Sequence, residues 1–278
     1  MKFAMSPCVL DRRNSLVYRL IRPIHVGHGY LFVLVFLLWG CPLTSAPAKQ
    51  ETLLIAAASD LQFAMGEIEK KFEEEMGTEI KVSYGSSGLF FSQIVSGAPF
   101  DVFLSADVGY PQRLVSEGWA EAPFIYGRGH LVLWVSDASP INLSADGMKS
   151  LRHPSVRKIA IANPIHAPYG VAATALLHKH GLYDTVRPML VFGENISQAA
   201  QFVQSGAADI GMLSYSLVND ARLSKTGRHW MIPPEDYPVL HQGGVLLKKS
   251  VHVSAVRSFI KFLLSGEGQV ILKRHGFS

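Results

Sequence analysis

From residue 51 onward, short apolar runs alternate with helical segments, and this order limits the possible folds more than any other feature of the chain. Thr52-Leu-Leu-Ile-Ala-Ala57 reads as a buried strand. A helix starting at Ser59 and running to about Met76 follows, because Leu61, Met65, Ile68 and Phe72 recur at the spacing of one helix face. Gly77 is placed to end it. Strands at 79–84 and 101–105 and helices at 89–96 and 110–117 continue the alternation. A second series holds strands at 130–135, 157–162, 191–192 and 209–213, with helices at 170–180 and 197–204. Pro233-Pro234 breaks the chain, and a strand at 239–247 precedes a helix at 254–275 that is interrupted at Gly266–Gly268. Strands separated by single helices imply an α/β fold of mostly parallel sheets flanked by helices. Two series closed by a returning strand imply two lobes joined by two crossings. Lobe I takes residues 49–129 plus 237–278, and lobe II takes 130–236.

Residues 1–48 read differently. Lys2, Arg12, Arg13, Arg19 and Arg22 stand against one acid, Asp11, and precede the ten-residue apolar run from Tyr30 to Trp39. That run is short for a bilayer span and suits the apolar region of a signal peptide, with Ala46-Pro47-Ala48 as a cleavage site. The segment is therefore expected to be removed on export to the periplasm. Leu38-Trp39-Gly40-Cys41 also loosely resembles a lipoprotein box, which would make Cys41 a lipid anchor. Of the 26 basic and 22 acidic residues of the whole chain, 21 of each remain after residue 48, so no basic face is left for nucleic acid. Both cysteines, Cys8 and Cys41, lie in this leader, which leaves a thiol-free chain suited to an oxidising compartment.

Four helix starts share one chemistry. Ala58-Ser59-Asp60, Gly85-Ser86-Ser87, Pro168-Tyr169-Gly170 and Asn195-Ile196-Ser197 each follow an apolar strand and offer small, hydroxyl or glycine residues. In an open α/β sheet such turns lie where ligands bind. Each helix start presents unpaired N–H groups and a partial positive charge, and together they suit an anion. Any one of these serines could equally be a simple helix cap; four turns, two per lobe, favour a shared site. No Lys or Arg lies in them, so the ligand would be a fully deprotonated oxyanion held by neutral donors. A protonated ligand would need an acceptor. Asp60 and Glu194 are the candidates, and both are placed outside the cavity.

Ala56-Ala-Ala-Ser-Asp-Leu61, Tyr84-Gly-Ser-Ser-Gly88, the run from Gly97 to Asp107, the run from Asn163 to Gly170 and the run from Gly266 to Phe277 keep an order and spacing over most of the chain. In these segments the chain resembles the periplasmic molybdate-binding proteins of ABC transporters. The resemblance implies a two-lobed type II periplasmic binding-protein fold with an interlobe cleft. It implies capture of molybdate, with tungstate beside it, and delivery to a membrane permease. It implies ligand contacts from the hydroxyl and N–H of Ser59 and Ser87 and from the N–H of Tyr169 and Ile196. A fifth contact comes in some members from a tyrosine at the position of Ser214; here Ser214 replaces it, Tyr215 swings in, or the contact is absent. Molybdenum would be present only inside the oxyanion, with no protein–metal bond. No cofactor and no catalysis are expected, and the protein is expected to act as a monomer.

Rival chemistries find little support. The same fold could take sulfate or phosphate, or serve a sensor. A hydrolase would need a nucleophile elbow, but Gly85-Ser-Ser-Gly-Leu89 lacks its last glycine. No phosphate loop or dinucleotide fingerprint is present. His178 and His180 are two apart on a helix and face different ways. Asp101 and Asp107 flank one strand and read as structural.

Overall fold

The structure is a computed structural model, and it describes residues 51–278. The leader and its cleavage site lie outside the described residues.

The chain builds two five-stranded sheets. The first combines β1 (Thr52–Ala58), β2 (Glu79–Gly85), β3 (Val102–Ser105), β4 (Phe124–Gly129) and β10 (Leu240–Leu246) in the order β2-β1-β3-β10-β4. The second combines β5 (Leu131–Ser136), β6 (Ile159–Ala162), β7 (Leu190–Gly193), β8 (Ile210–Ser214) and β9 (Gly227–Met231) in the order β7-β6-β8-β5-β9. The helices are α1 (Gln62–Met76), α2 (Ser87–Val95), α3 (Gly109–Ser116), α4 (Leu143–Asp146), α5 (Pro168–Lys179), α6 (Tyr183–Val186), α7 (Ile196–Gln204), α8 (Tyr215–Val218), α9 (Ala221–Ser224), α10 (Val253–Leu263) and α11 (Gly266–Arg274).

Both sheets are mixed rather than mostly parallel. β1 pairs β2 and β3 in parallel, and β6 pairs β7 and β8 in parallel. The strands next to the crossings run the other way: β10 is antiparallel to β3 and β4, and β5 to β8 and β9. β4 leaves the first sheet and β5 enters the second with only His130 between them. The strand expected at 130–135 is thus β5, and β4, which ends in Gly127-Arg128-Gly129, is a further strand that the sequence reading did not place.

The core follows from the alternation of side chains along each strand. In β1, Leu53, Ile55 and Ala57 pack beneath α1, α10 and α11, with Phe72, Phe259 and Leu263, while Ala56 faces the other way onto Phe90, Ile94 and Phe103. Being covered on both faces, β1 reads as one continuous apolar run. The helix face anticipated in α1 is buried, since Leu61, Met65, Ile68 and Phe72 have no exposure. Gly77 ends α1 with φ 67°, a left-handed conformation that costs glycine nothing.

Two local expectations change. The break in the C-terminal helix falls at Leu264–Ser265 rather than within 266–268, because the Ser265 hydroxyl accepts the Gly268 N–H at 3.2 Å and starts α11 at Gly266. Ser265→Ala is expected to cost about 1 kcal/mol, a drop of roughly 2–4 °C in Tm that differential scanning calorimetry would read. β9 carries no signal in the sequence: Gly-Arg-His-Trp-Met is a half-exposed edge strand, and what makes it a strand is its pairing with β5.

Candidate functional site

One small cavity lies where the two sheets face each other. Its lining comes from the four turns singled out above, residues 58–60, 85–87, 167–169 and 195–196, together with Ala106 after β3. The space there that a water-sized group can occupy is small, about 10 Å³. Ser59, Ser87, Tyr169 and Ile196, far apart in sequence, are brought together on this surface.

The backbone aims donors at it. Ser87 and Ile196 are the first residues of α2 and α7, so their N–H groups have no acceptor within the helix. Pro168 opens α5 without an N–H, which makes Tyr169 its first donor. Asn195 caps α7 by accepting the Gln198 N–H at 3.0 Å. Ser59 departs from the expected cap. It begins a 3-10 turn, Ser59–Leu61, that leads into α1, and no side chain caps that turn.

The hydroxyls are set up as donors. Ser87 Oγ accepts the Ala106 N–H at 3.0 Å, and Ser59 Oγ accepts the Ser197 N–H at 3.4 Å. With an acceptor position filled by backbone, each hydroxyl keeps its proton for a group in the cavity. The two sides are also tied across the cavity. Ser197 Oγ donates to the Ser59 carbonyl at 3.0 Å, Ser216 Oγ to the Asp60 carbonyl at 2.9 Å, and the Gly88 N–H to the His166 carbonyl at 2.8 Å. His166 itself stands behind the site, its Nδ1 at 2.9 Å from Ser86 Oγ.

Ser214 stands apart from the four turns. It is fully buried but not part of the lining; its hydroxyl lies 3.2 Å from Ser216 Oγ. Tyr215 does not swing in either, because its ring packs against His229 with centroids 5.3 Å apart. One correction concerns the acceptors. Glu194 is exposed and off the lining, as placed, but Asp60 lines the cavity and is 1% exposed. Its Oδ2 accepts from Gln242 Nε2, and the Tyr169 hydroxyl donates to the same carboxylate. Gln242 Nε2 also reaches Tyr169 Oη at 3.3 Å, and Tyr126 Oη lies 2.8 Å from Gln242 Oε1. Burial pushes the Asp60 carboxyl up to about 6, against the lowering effect of these hydrogen bonds. Burial likewise holds the Tyr169 and Tyr126 phenols well above their ordinary range. Sequence reading missed Gln242 and Tyr126; nothing in their local segments marks them.

The other ionisable residues have structural partners. Asp101 accepts the Leu54 N–H at 2.8 Å and the Ser250 hydroxyl at 2.6 Å. Asp107 accepts the Tyr110 N–H at 3.1 Å. His178 stacks on Tyr183 while His180 pairs with Asp236 at 3.0 Å, so the two histidines diverge. Among the described residues no cluster of His, Cys, Asp and Glu could hold a metal ion. The arrangement is a small concave surface of hydroxyl and backbone N–H donors with one carboxyl, Asp60, among them.

Comparison with known proteins agrees with this chemistry. Residues 53–278 match the family model described as bacterial extracellular solute-binding protein. The molybdate-binding protein ModA of Rhodobacter capsulatus is 36% identical over 233 residues, covering 83% of this chain and 90% of that protein. The molybdate-binding protein ModA of Azotobacter vinelandii is 35% identical over 241 residues, covering 86% and 94%. The solved structure of the Azotobacter vinelandii periplasmic molybdate-binding protein superposes with a TM-score of 0.76 at 32% identity, covering 81% of this chain and 98% of that one.

Proposed function

The chain belongs to the family of bacterial extracellular solute-binding proteins, and from that premise we propose that it captures molybdate, and tungstate with it, and delivers the anion to the membrane permease of an ABC transporter. The observation that carries this reading is the convergence of four strand-to-helix turns, with the hydroxyls of Ser59 and Ser87, on one cavity whose lining holds no Lys, Arg or His. The N–H and hydroxyl donors of these turns bind a dianion without a cationic side chain, and they select by the placement of its oxygens. The anion bridges turns from both sheets, so binding and closure of the cleft are linked. Molybdenum enters only as the bound oxyanion. The protein works in the periplasm as a monomer, without a cofactor and without turning its ligand over.

Titration by calorimetry and thermal shift with molybdate, tungstate, sulfate and phosphate tests this. At a ligand concentration of 100 times Kd the fold gains about 2.7 kcal/mol, and removal of the anion by dialysis returns the lower Tm. Molybdate and tungstate are expected to produce the shift, and sulfate is not. A shift with sulfate alone would replace the ligand, and no shift with any of the four would remove the anion site. Asp60 in the lining favours one second reading, hydrogen phosphate, whose own proton could meet the carboxylate.

A further inference from the structure

The cavity contains one carboxylate, and it stands where a charged one would oppose the ligand. Asp60 lines the site, and among the described residues its Oδ1 has no hydrogen-bond partner, while Gln242 Nε2 donates to Oδ2 and the Tyr169 phenol interacts with the carboxylate. No cation compensates it. The elements packed on the 59–61 turn are α1, α7, α8 and β2. α7 has no ionisable residue, and α8 has Tyr215. β2 has Glu79, Lys81 and Tyr84, and α1 carries Lys70 and Lys71 among Glu67, Glu69, Glu73, Glu74 and Glu75. On the strands and helix that supply its partners, β4 has Arg128 besides Tyr126, β10 has His241, and α5 has His178 and Lys179. The groups that act on the carboxylate are the Gln242 amide, the Tyr169 phenol and the Asp60 and Leu61 backbone N–H groups, with Tyr126 behind Gln242; burial, and no neighbouring charge, sets its upward shift. Asp107 reaches this network only through Tyr126.

On the reading of the cavity as an oxyanion site, we infer that Asp60 takes up one proton whenever a dianion is captured, so that the ligand meets a neutral carboxyl. The proton comes from solvent and settles on Oδ1, the oxygen without a partner. Two like charges side by side at a buried position cannot both stay ionised, and the carboxylate, 1% exposed, is the weaker of the two at keeping its charge. It is already pushed up to about 6 with no anion beside it. A dianion raises it further, so the complex holds a proton that the free protein lacks near neutral pH. Affinity therefore rises as pH falls, by up to about tenfold per pH unit, between the carboxyl pKa of the free protein and that of the complex. A neutral carboxyl also removes the bare acceptor that hydrogen phosphate would use, which makes Asp60 a determinant of specificity.

The test is calorimetric titration of the purified protein with molybdate from about pH 5.5 to about pH 8.5, in buffers of different ionisation enthalpy, which counts protons directly. Uptake approaching one proton per anion is expected, with Kd falling toward lower pH. Asp60→Asn is expected to bind with no uptake, with a Kd that stays flat across pH, and to melt higher than the natural protein at high pH. Tyr169→Phe removes a donor that favours the ionised form, and it shifts the uptake window to higher pH; it keeps the test decisive should the asparagine variant not fold. Binding without proton uptake, or uptake that survives Asp60→Asn, overturns this inference and leaves the anion site intact. Tighter binding of phosphate than of molybdate, without uptake, makes Asp60 an ionised acceptor and also overturns it. No binding of any anion removes both the site and the inference.

Discussion

Ser59→Ala and Ser87→Ala are each expected to weaken molybdate binding by about 10- to 100-fold, and the double variant by about 1,000-fold or more. A hydrogen bond to a charged group contributes about 1.5–3 kcal/mol, and each 1.4 kcal/mol is tenfold in Kd. Both side chains are almost wholly buried in the lining, so water cannot take the place of a lost donor. Their oxygens already accept from the N–H groups of Ser197 and Ala106, which turns the hydroxyl protons toward the ligand. Alanine removes the proton and also strips an acceptor from those two N–H groups, so a modest loss of stability without ligand accompanies the loss of affinity. Calorimetric Kd values, read beside the Tm of the ligand-free variants, separate the two effects. If both single variants kept Kd within threefold of the natural protein, the hydroxyls would not be ligand donors.

Gly170→Ala is expected to cost about 3 kcal/mol, roughly 6–12 °C in Tm, and to reduce the thermal shift produced by molybdate. A methyl group at this position would stand 2.7 Å from Pro164 N and closer still to the Ala162 carbonyl oxygen. Both are backbone atoms at the end of β6 and in the turn after it, and neither can rotate away. Relief requires α5 to move off the sheet. That helix start carries the Tyr169 N–H at the cavity and, through the same residue, the phenol that holds Asp60. Stability and anion binding should therefore fall together. Gly181→Ala is the useful contrast. Its φ of 61° makes alanine strained there, yet a methyl group would meet nothing within 4 Å, and the position is remote from the lining. A loss of stability with unchanged anion response is expected from it. If Gly170→Ala melted like the natural protein, the close packing of α5 on β6 would be wrong.

The cavity's place between the two sheets also links ligand and fold. The turns that line it come from opposite sheets and touch through a few hydrogen bonds, such as Ser197 to the Ser59 carbonyl and Ser216 to the Asp60 carbonyl. An anion between them would satisfy N–H groups on both sides at once, which these contacts alone cannot do.

Much of this was legible in the residues themselves. The face of α1, the end of that helix at Gly77 and the four turns rich in small residues follow from local chemistry: apolar spacing, a left-handed glycine and helix starts that lack acceptors. Such signals act over a few residues, and a sequence displays them directly. Other features required the tertiary structure. Asp60 follows Ser59 directly, yet what turns it into the lining is an amide 182 residues away, Gln242, and a phenol on the opposite side of the cleft, Tyr169. Ser214 carries the right hydroxyl but is fully buried off the lining beside Ser216. The strand character of 227–231 exists only through its pairing with β5. Most strands and helices, and the turns that offer unpaired donors, were readable in the residues because those depend on near neighbours. Which side chains enter the cavity, and which of them meet there, followed from three-dimensional contacts, because burial and partnership are set by residues that the chain brings together from far apart.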